Sequence, residues 1–255
     1  MECDLYQMLH LLHGRVRRLD RHVALLDRAS RELFGVPCTP EADALERRVL
    51  AAAGREAGGT SAFVRLEWTA EGRERLLAAG VSYYAGYALR SLQYRGVTVA
   101  CEPPLNGYPT LAREAAAAAA RRMAACAGGE VGVLCGPDGS YHTVEASPLA
   151  VVEGYTVVVP PEGSCVTLPS GAGGADRRFG TLRSVEYGLL TEAVRAAGLP
   201  LEERPVGPAE CGRFDELFWL DHRGITALSH LDGRPLMTLM AERVAGALEN
   251  LFANR

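Results

Sequence analysis

Apolar residues recur along this chain at two periods, and the switches between them divide it into elements. Leu5–Leu12 and Arg15–Leu19 flank His13-Gly14, a pattern that predicts a hairpin with Gly14 in the turn. The spacing then becomes helical. Val23, Leu26, Ala29 and Leu33 share one face of a helix predicted from Arg21 to Phe34, with Asp20 as its cap and Gly35 and Pro37 ending it. Leu45, Val49 and Ala52 repeat the pattern in a second helix, opened by Thr39-Pro40, running to about Glu56 and closed by Gly58-Gly59. Ser61–Trp68 alternates and reads as a strand, as does Tyr83–Leu92.

The texture changes at "RGVTVACEPPLNGYP", where prolines and glycines cluster. This stretch predicts a connection over residues 96–108 between a small α/β domain, 1–95, and a larger β-rich domain with flanking helices, 109–255. An alanine-rich helix opens the second part. Short strands follow at Val131–Cys135, Tyr141–Val144, Leu149–Val152 and Tyr155–Val159, with turns at Pro137-Asp138-Gly139 and Glu153-Gly154. "SGAGGADRRFG" reads as a flexible loop. Then come a helix over Leu182–Ala197, strands at Glu216–Asp221 and Ile225–Leu231, and a C-terminal helix over Met237–Phe252.

Composition narrows the function. A chain of 255 residues with formal net charge −4 has no general attraction for nucleic acid or an anionic membrane. No apolar run reaches bilayer length, and the N-terminus lacks the order of a signal peptide. Seven scattered cysteines without a CxxC pair argue against a disulfide framework or a zinc site, and predict reduced thiols in a cytoplasmic protein. One absence stands out: all 27 basic residues are arginine, and the chain holds no lysine. Abundant Arg, Ala, Gly and Pro offer a compositional explanation, codon usage rich in G and C.

Four stretches resemble the class IV aminotransferases, the fold-type IV pyridoxal-phosphate group that includes branched-chain and D-amino-acid aminotransferases and aminodeoxychorismate lyase. They are "GRVRRLDRHVALLDRASRELFG", "FVRLEW", "GPDGSYHTVEASPLAVVEGYTVVVP", and "FGTLRSVEYGLLTEAVRAAGLPLEERPV" with "FDELFWLDHRGITALSHLDGRPL". The resemblance implies a two-domain fold with a small α/β domain and a barrel-like larger one, a cleft between them, and a homodimer. It implies that Glu145 is the carboxylate that pairs with the cofactor's pyridine nitrogen; the alternative is a solvated hairpin carboxylate. It implies that Gly180-Thr181-Leu182 offers backbone N–H groups to a phosphate at a helix N-terminus; the alternative is an ordinary turn with a threonine cap.

The departures from the pattern are as informative. The family's phosphate arginine, three residues after the helix histidine, falls on Leu25, counting from His22; Arg21 and Arg28 flank that slot, and a slip of register would restore an arginine there. A second phosphate turn falls on Leu220-Asp221-His222, where Asp221 would set negative charge beside a dianion. The Schiff-base lysine slot falls on Tyr108 or Pro109, placed by aligning Ala112-Arg113. Lysine can be tuned to lose its proton near neutral pH, whereas arginine cannot, so exchange of Lys for Arg does not keep the chemistry. These losses together predict a member without transamination, with no catalytic residues, no metal and no cofactor. Its cleft would be vestigial, or would take a small anion near Glu145, Gly180, Thr181, Leu182 and Arg113; an active paralogue is a further candidate partner. The competing expectation is an enzyme of the family acting on an amino or keto acid with pyridoxal phosphate held without a protein Schiff base.

Other constellations are weaker. His10 and His13 alternate faces on a strand and do not chelate. His222, Asp221 and Ser229 hold the ingredients of a nucleophilic triad without a nucleophile elbow. Cys101 reads as a plain thiol in the connection. Arg65, Arg90 and Arg113 are candidates to face the cleft.

Overall fold

The computed structural model describes residues 4–54, 61–82, 90–103, 105–162, 167–168, 177–178 and 182–253. The first unit is a sheet of four strands in the order β2-β1-β3-β4, from β1 (Leu5–Leu12), β2 (Arg15–Val16), β3 (Ser61–Trp68) and β4 (Glu74–Ser82). The β1–β2 turn is the predicted one. His13 and Gly14 both take positive φ, 50° and 73°, the twist that suits a two-residue hairpin. Against this sheet lie α1 (Leu19–Phe34) and α2 (Ala42–Ala53).

Helix α1 buries His22, Leu25, Leu26, Ala29 and Ser30, a stripe at the helical period. Its start differs from the expectation. Asp20 lies inside the first turn, where its charge suits the helix dipole, and the capping position is Arg18 in a left-handed conformation with no side-chain cap. Gly35, φ 71°, ends the helix as predicted. Helix α2 is capped by Glu41, whose carboxylate accepts from the Asp43 and Ala44 N–H groups, rather than by Thr39-Pro40. Strand β4 carries no clean alternation and was not anticipated; it is an edge strand with most positions exposed, so burial imposed no pattern on it.

The second unit is a closed ring of six strands: β8 (Ser147–Glu153), β13 (Glu216–Asp221), β14 (Gly224–Leu231), β5 (Arg90–Ala100), β6 (Val131–Cys135) and β7 (Tyr141–Val144), which returns to β8. Between β9 (Thr156–Val159), which extends the sheet beside β8, and the helix that follows, β10 (Thr167–Leu168) pairs with β11 (Arg177–Arg178). The rest of the loop expected at 170–180 lies outside the described residues. Beyond it, β12 (Leu201–Glu203) pairs with β9 in parallel, and β15 (Arg234–Pro235) pairs with β14. Strand β5 spans the start of the expected connection, and Gly96–Ala100 pair with Val131–Cys135 inside the barrel.

Alternation sorts the barrel strands. Leu149, Val151, Leu217 and Trp219 fill the interior with Tyr141 and Phe214. Ala150, Val152, Phe218 and Leu220 point outward into the larger core shared with the first unit and the helices α4 (Val185–Ala196) and α5 (Leu239–Ala253). α3 (Leu111–Cys126) packs on β5 and β6, with Ala117, Ala120 and Ala124 as its buried face. The alanine run is thus a close-packing surface, and its Thr110 cap accepts from the Arg113 N–H.

Helix α5 is held by a residue far from it in sequence. Glu216, 1% exposed, accepts from the Met240 and Ala241 N–H groups at 2.7 and 2.9 Å. Such charge-assisted bonds contribute roughly 1.5–3 kcal/mol each. Glu216→Ala is therefore expected to destabilise the fold by about 3 kcal/mol and lower Tm by about 6–12 °C. A urea titration checks this, and a loss under ~0.5 kcal/mol would refute the capping role.

Candidate functional site

The site lies where the start of α4 meets the ends of β13 and α3. Helix α4 begins at Val185 and is capped by Ser184, whose Oγ accepts from the Tyr187 N–H at 3.0 Å. The capping serine itself is held by Glu162, three residues after β9 ends and behind Pro160-Pro161. The Ser184 N–H donates to Glu162 Oε2, and the Ser184 hydroxyl donates to Oε1 at 2.8 Å. A carboxylate of this chain thus sits where a helix N-terminus would receive an external anion.

Arg113, in the first turn of α3, is 8% exposed, and its Nη2 lies 3.9 Å from Glu162 Oε1. Its Nε has no hydrogen-bond partner. Arg113, Glu186, Asp221 and His222 line a cavity of about 90 Å³ with Tyr6, Gln7, Pro109, Ser147 and Ser184. Small-molecule sites commonly run about 300–1,000 Å³, so this space is small beside them.

The electrostatics are dominated by carboxyl groups. Burial pushes Glu162 above the usual carboxylate range, with Arg113 and Ser184 acting against it. Burial pushes Glu186 up to about 7, and the neighbouring Glu162 and Asp221 add to the rise. Burial alone would raise Asp221 too, but His222 and Arg223 outweigh it and hold it low; its oxygens accept from the Arg223 backbone and guanidinium. Tyr6 is raised to about 12, chiefly by burial.

Of the residues singled out by sequence, Arg113 lines this cavity. Leu182 lines a different one. Glu145 holds a positive φ of 56° and is taken up by α3: Arg121 donates to both its oxygens at 2.6 Å. Gly180 and Thr181 lie outside the described residues. Of the two residues assigned to the lysine slot, Pro109 faces the cavity, whereas the Tyr108 hydroxyl donates to Glu32 of α1 at 2.7 Å. Arg65 is engaged by Glu67 and Glu114 and lies over the Tyr6 ring, and the Arg90 side chain lies outside the described residues.

The triad ingredients separate: Asp221 is bound to Arg223, and Ser229 donates to the Tyr94 carbonyl. His10 bonds Ser61 and His22 bonds Gln7, and burial lowers them to about 3 and about 4, so both are neutral at pH 7. Among the described residues no group of three metal-binding side chains occurs, and no helix is long and apolar enough to cross a membrane.

Sequence reasoning missed Glu162 and Glu186. Ser184 before an apolar run was a readable cap signal. Nothing local marked Glu162, because its partner is brought to it only by the fold.

The chain has no lysine, the Ser184 N–H and hydroxyl are given to Glu162, and Arg121 donates to both Glu145 oxygens. The ancestry of the scaffold is nonetheless plain. The model of the family described as Amino-transferase class IV matches residues 4–221, and the chain belongs to that family. Its fold is that of the fold-type IV aminotransferases. It is similar to an aminotransferase from Brucella abortus bound to the cofactor PLP, with TM-score 0.76 and 17% identity, covering 99% of this chain and 89% of that one. It is similar to a fold IV transaminase from Curtobacterium pusillum, with TM-score 0.73 and 20% identity over 99% and 86% of the two chains. The branched-chain amino acid aminotransferase from Escherichia coli superposes with TM-score 0.74 and 14% identity over 98% and 85%. No curated protein sequence matches the chain.

Proposed function

We propose that this class IV family member does not transaminate and acts as a binding protein on the aminotransferase scaffold. The observation that carries the reading is the absence of lysine from the whole chain. A Schiff base to the cofactor needs an amine that can shed its proton, and the same amine moves the proton during transamination. No arginine replaces it in that role. Asp221, held ionised by His222 and Arg223, lines the cavity and supports the reading, since a carboxylate there opposes a phosphate dianion. We further propose a cytoplasmic homodimer, or a pair formed with a lysine-bearing paralogue.

A second reading keeps pyridoxal phosphate bound without a protein Schiff base, for an amino or keto acid reaction. It is favoured by Glu145, which stands at the family's pyridine-partner position, and by the cofactor in the Brucella relative. Calorimetric and absorbance titration of the protein with pyridoxal phosphate separates the two. The first reading expects no binding that depends on Glu145 and no turnover of amino donors. Micromolar binding lost in Glu145→Ala would overturn it.

A further inference from the structure

Three carboxyl groups meet at the first turn of α4, and they are not equally supplied with donors. Glu162 accepts from the Ser184 N–H and hydroxyl. Asp221 accepts from the Arg223 backbone and guanidinium. Glu186, the second residue of α4, has no such partner: among the described residues its one donor is its own backbone N–H.

The groups that face Glu186 come from four parts of the chain. β1 brings the Tyr6 hydroxyl, α3 brings Arg113, the segment after β9 brings Glu162, and the end of β13 brings Asp221 with His222 after it. Further out, Arg223 is held by Asp221, Arg183 by Glu203 and Glu114 by Arg65. Arg113 is the one guanidinium among the described residues that line the cavity, and it already lies 3.9 Å from Glu162. A protonated Glu186 asks little of this arrangement. An ionised one needs donors that the arrangement lacks, and water supplies them only when the turn moves outward. Such a movement breaks the bonds of the helix start: Ser184 N–H to Glu162, Tyr187 N–H to Ser184 Oγ at 3.0 Å, and Gly188 N–H to the Ser184 carbonyl at 3.2 Å.

We propose that the first turn of α4 is a pH-operated latch, closed while Glu186 carries its proton and released locally when the proton leaves. Ser184 belongs to the walls of this cavity and of a second, of about 510 Å³, between α1 and the start of α4. Release of the turn that carries Ser184 therefore opens one space to the other. Burial, with Glu162 and Asp221 adding to it, raises Glu186 from 4.5 to about 7. Closure is therefore fully favoured below about pH 4.5 and weakens as pH rises through 7. In the released turn the carboxyl regains its ordinary value, so the open population grows about tenfold between pH 6 and pH 8.

Hydrogen exchange of the full chain, read by mass spectrometry and divided by the intrinsic amide rates at each pH, tests the latch. Peptides covering residues 182–190 are expected to lose about tenfold in protection from pH 6 to pH 8, while peptides of α5 keep theirs. Glu186→Gln keeps the shape of the side chain and cannot ionise, so it is expected to abolish the step. No change at the α4 start, an equal change in α5, or a step that survives in Glu186→Gln each overturns the proposal. The second of these results marks loosening of the whole fold rather than of one turn.

Discussion

Glu162→Ala is expected to cost about 3–5 kcal/mol of folding stability, because it breaks a buried charge cluster from one side. Two losses combine. The start of α4 gives up a carboxylate bound to the Ser184 N–H and hydroxyl. Arg113, already carrying one unpaired buried nitrogen, loses the carboxylate nearest its guanidinium. The raised Glu162 pKa shows that burial of the charge is itself unfavourable, so the intact cluster adds little net stability. Removing one member is costly because the other charge stays buried. Glu162→Gln keeps an acceptor for the Ser184 N–H and is expected to fall between wild type and alanine. Urea denaturation measures both variants; an alanine variant within ~0.5 kcal/mol of wild type would show that water or another residue satisfies the same groups.

Glu186→Gln should stabilise the protein at pH 8 and change it little near pH 5. The folded-state pKa of Glu186 is raised from 4.5 to about 7. A raised carboxyl pKa means that the folded state holds the proton more tightly than the unfolded chain. The favourable contribution is fully present below about pH 4.5 and is lost as pH rises through 7. Above that, folding must keep a charged carboxylate beside Asp221 and Glu162, whereas glutamine stays neutral. Between pH 5 and pH 8 the variant is expected to gain about 2 kcal/mol on wild type, roughly 4–8 °C in Tm. Thermal melts at the two pH values decide it. Equal gains at both would assign the effect to packing, not ionisation.

Both predictions concern carboxyl groups at the α4 start. The cluster is self-contained: Glu162 takes the helix start, Arg223 takes Asp221, and Arg121 takes Glu145. These three carboxylates each have a partner from this chain.

Much of the architecture was legible in the residues. Strands β3, β6, β7 and β13 follow the predicted bounds because they are buried along nearly their whole length, so the apolar run ends where the strand does. The family, too, could be read from ordered motifs, and the absence of lysine needed no structure. The edge strand β4 was not legible, since solvent on its surface leaves no periodic constraint. Helix starts shifted by a few residues where the cap came from a carboxylate at Glu41 or a left-handed Arg18 rather than from the nearest threonine or aspartate.

The site divides the same way. By itself the sequence determined which chemistry is missing: a residue type either occurs in the chain or does not, and no folding alters that. Only the tertiary structure decided what stands in its place. Glu162 meets Ser184 and Arg113 across 22 and 49 residues. Charges so placed act through distance and burial, and neither is a property of position along the chain.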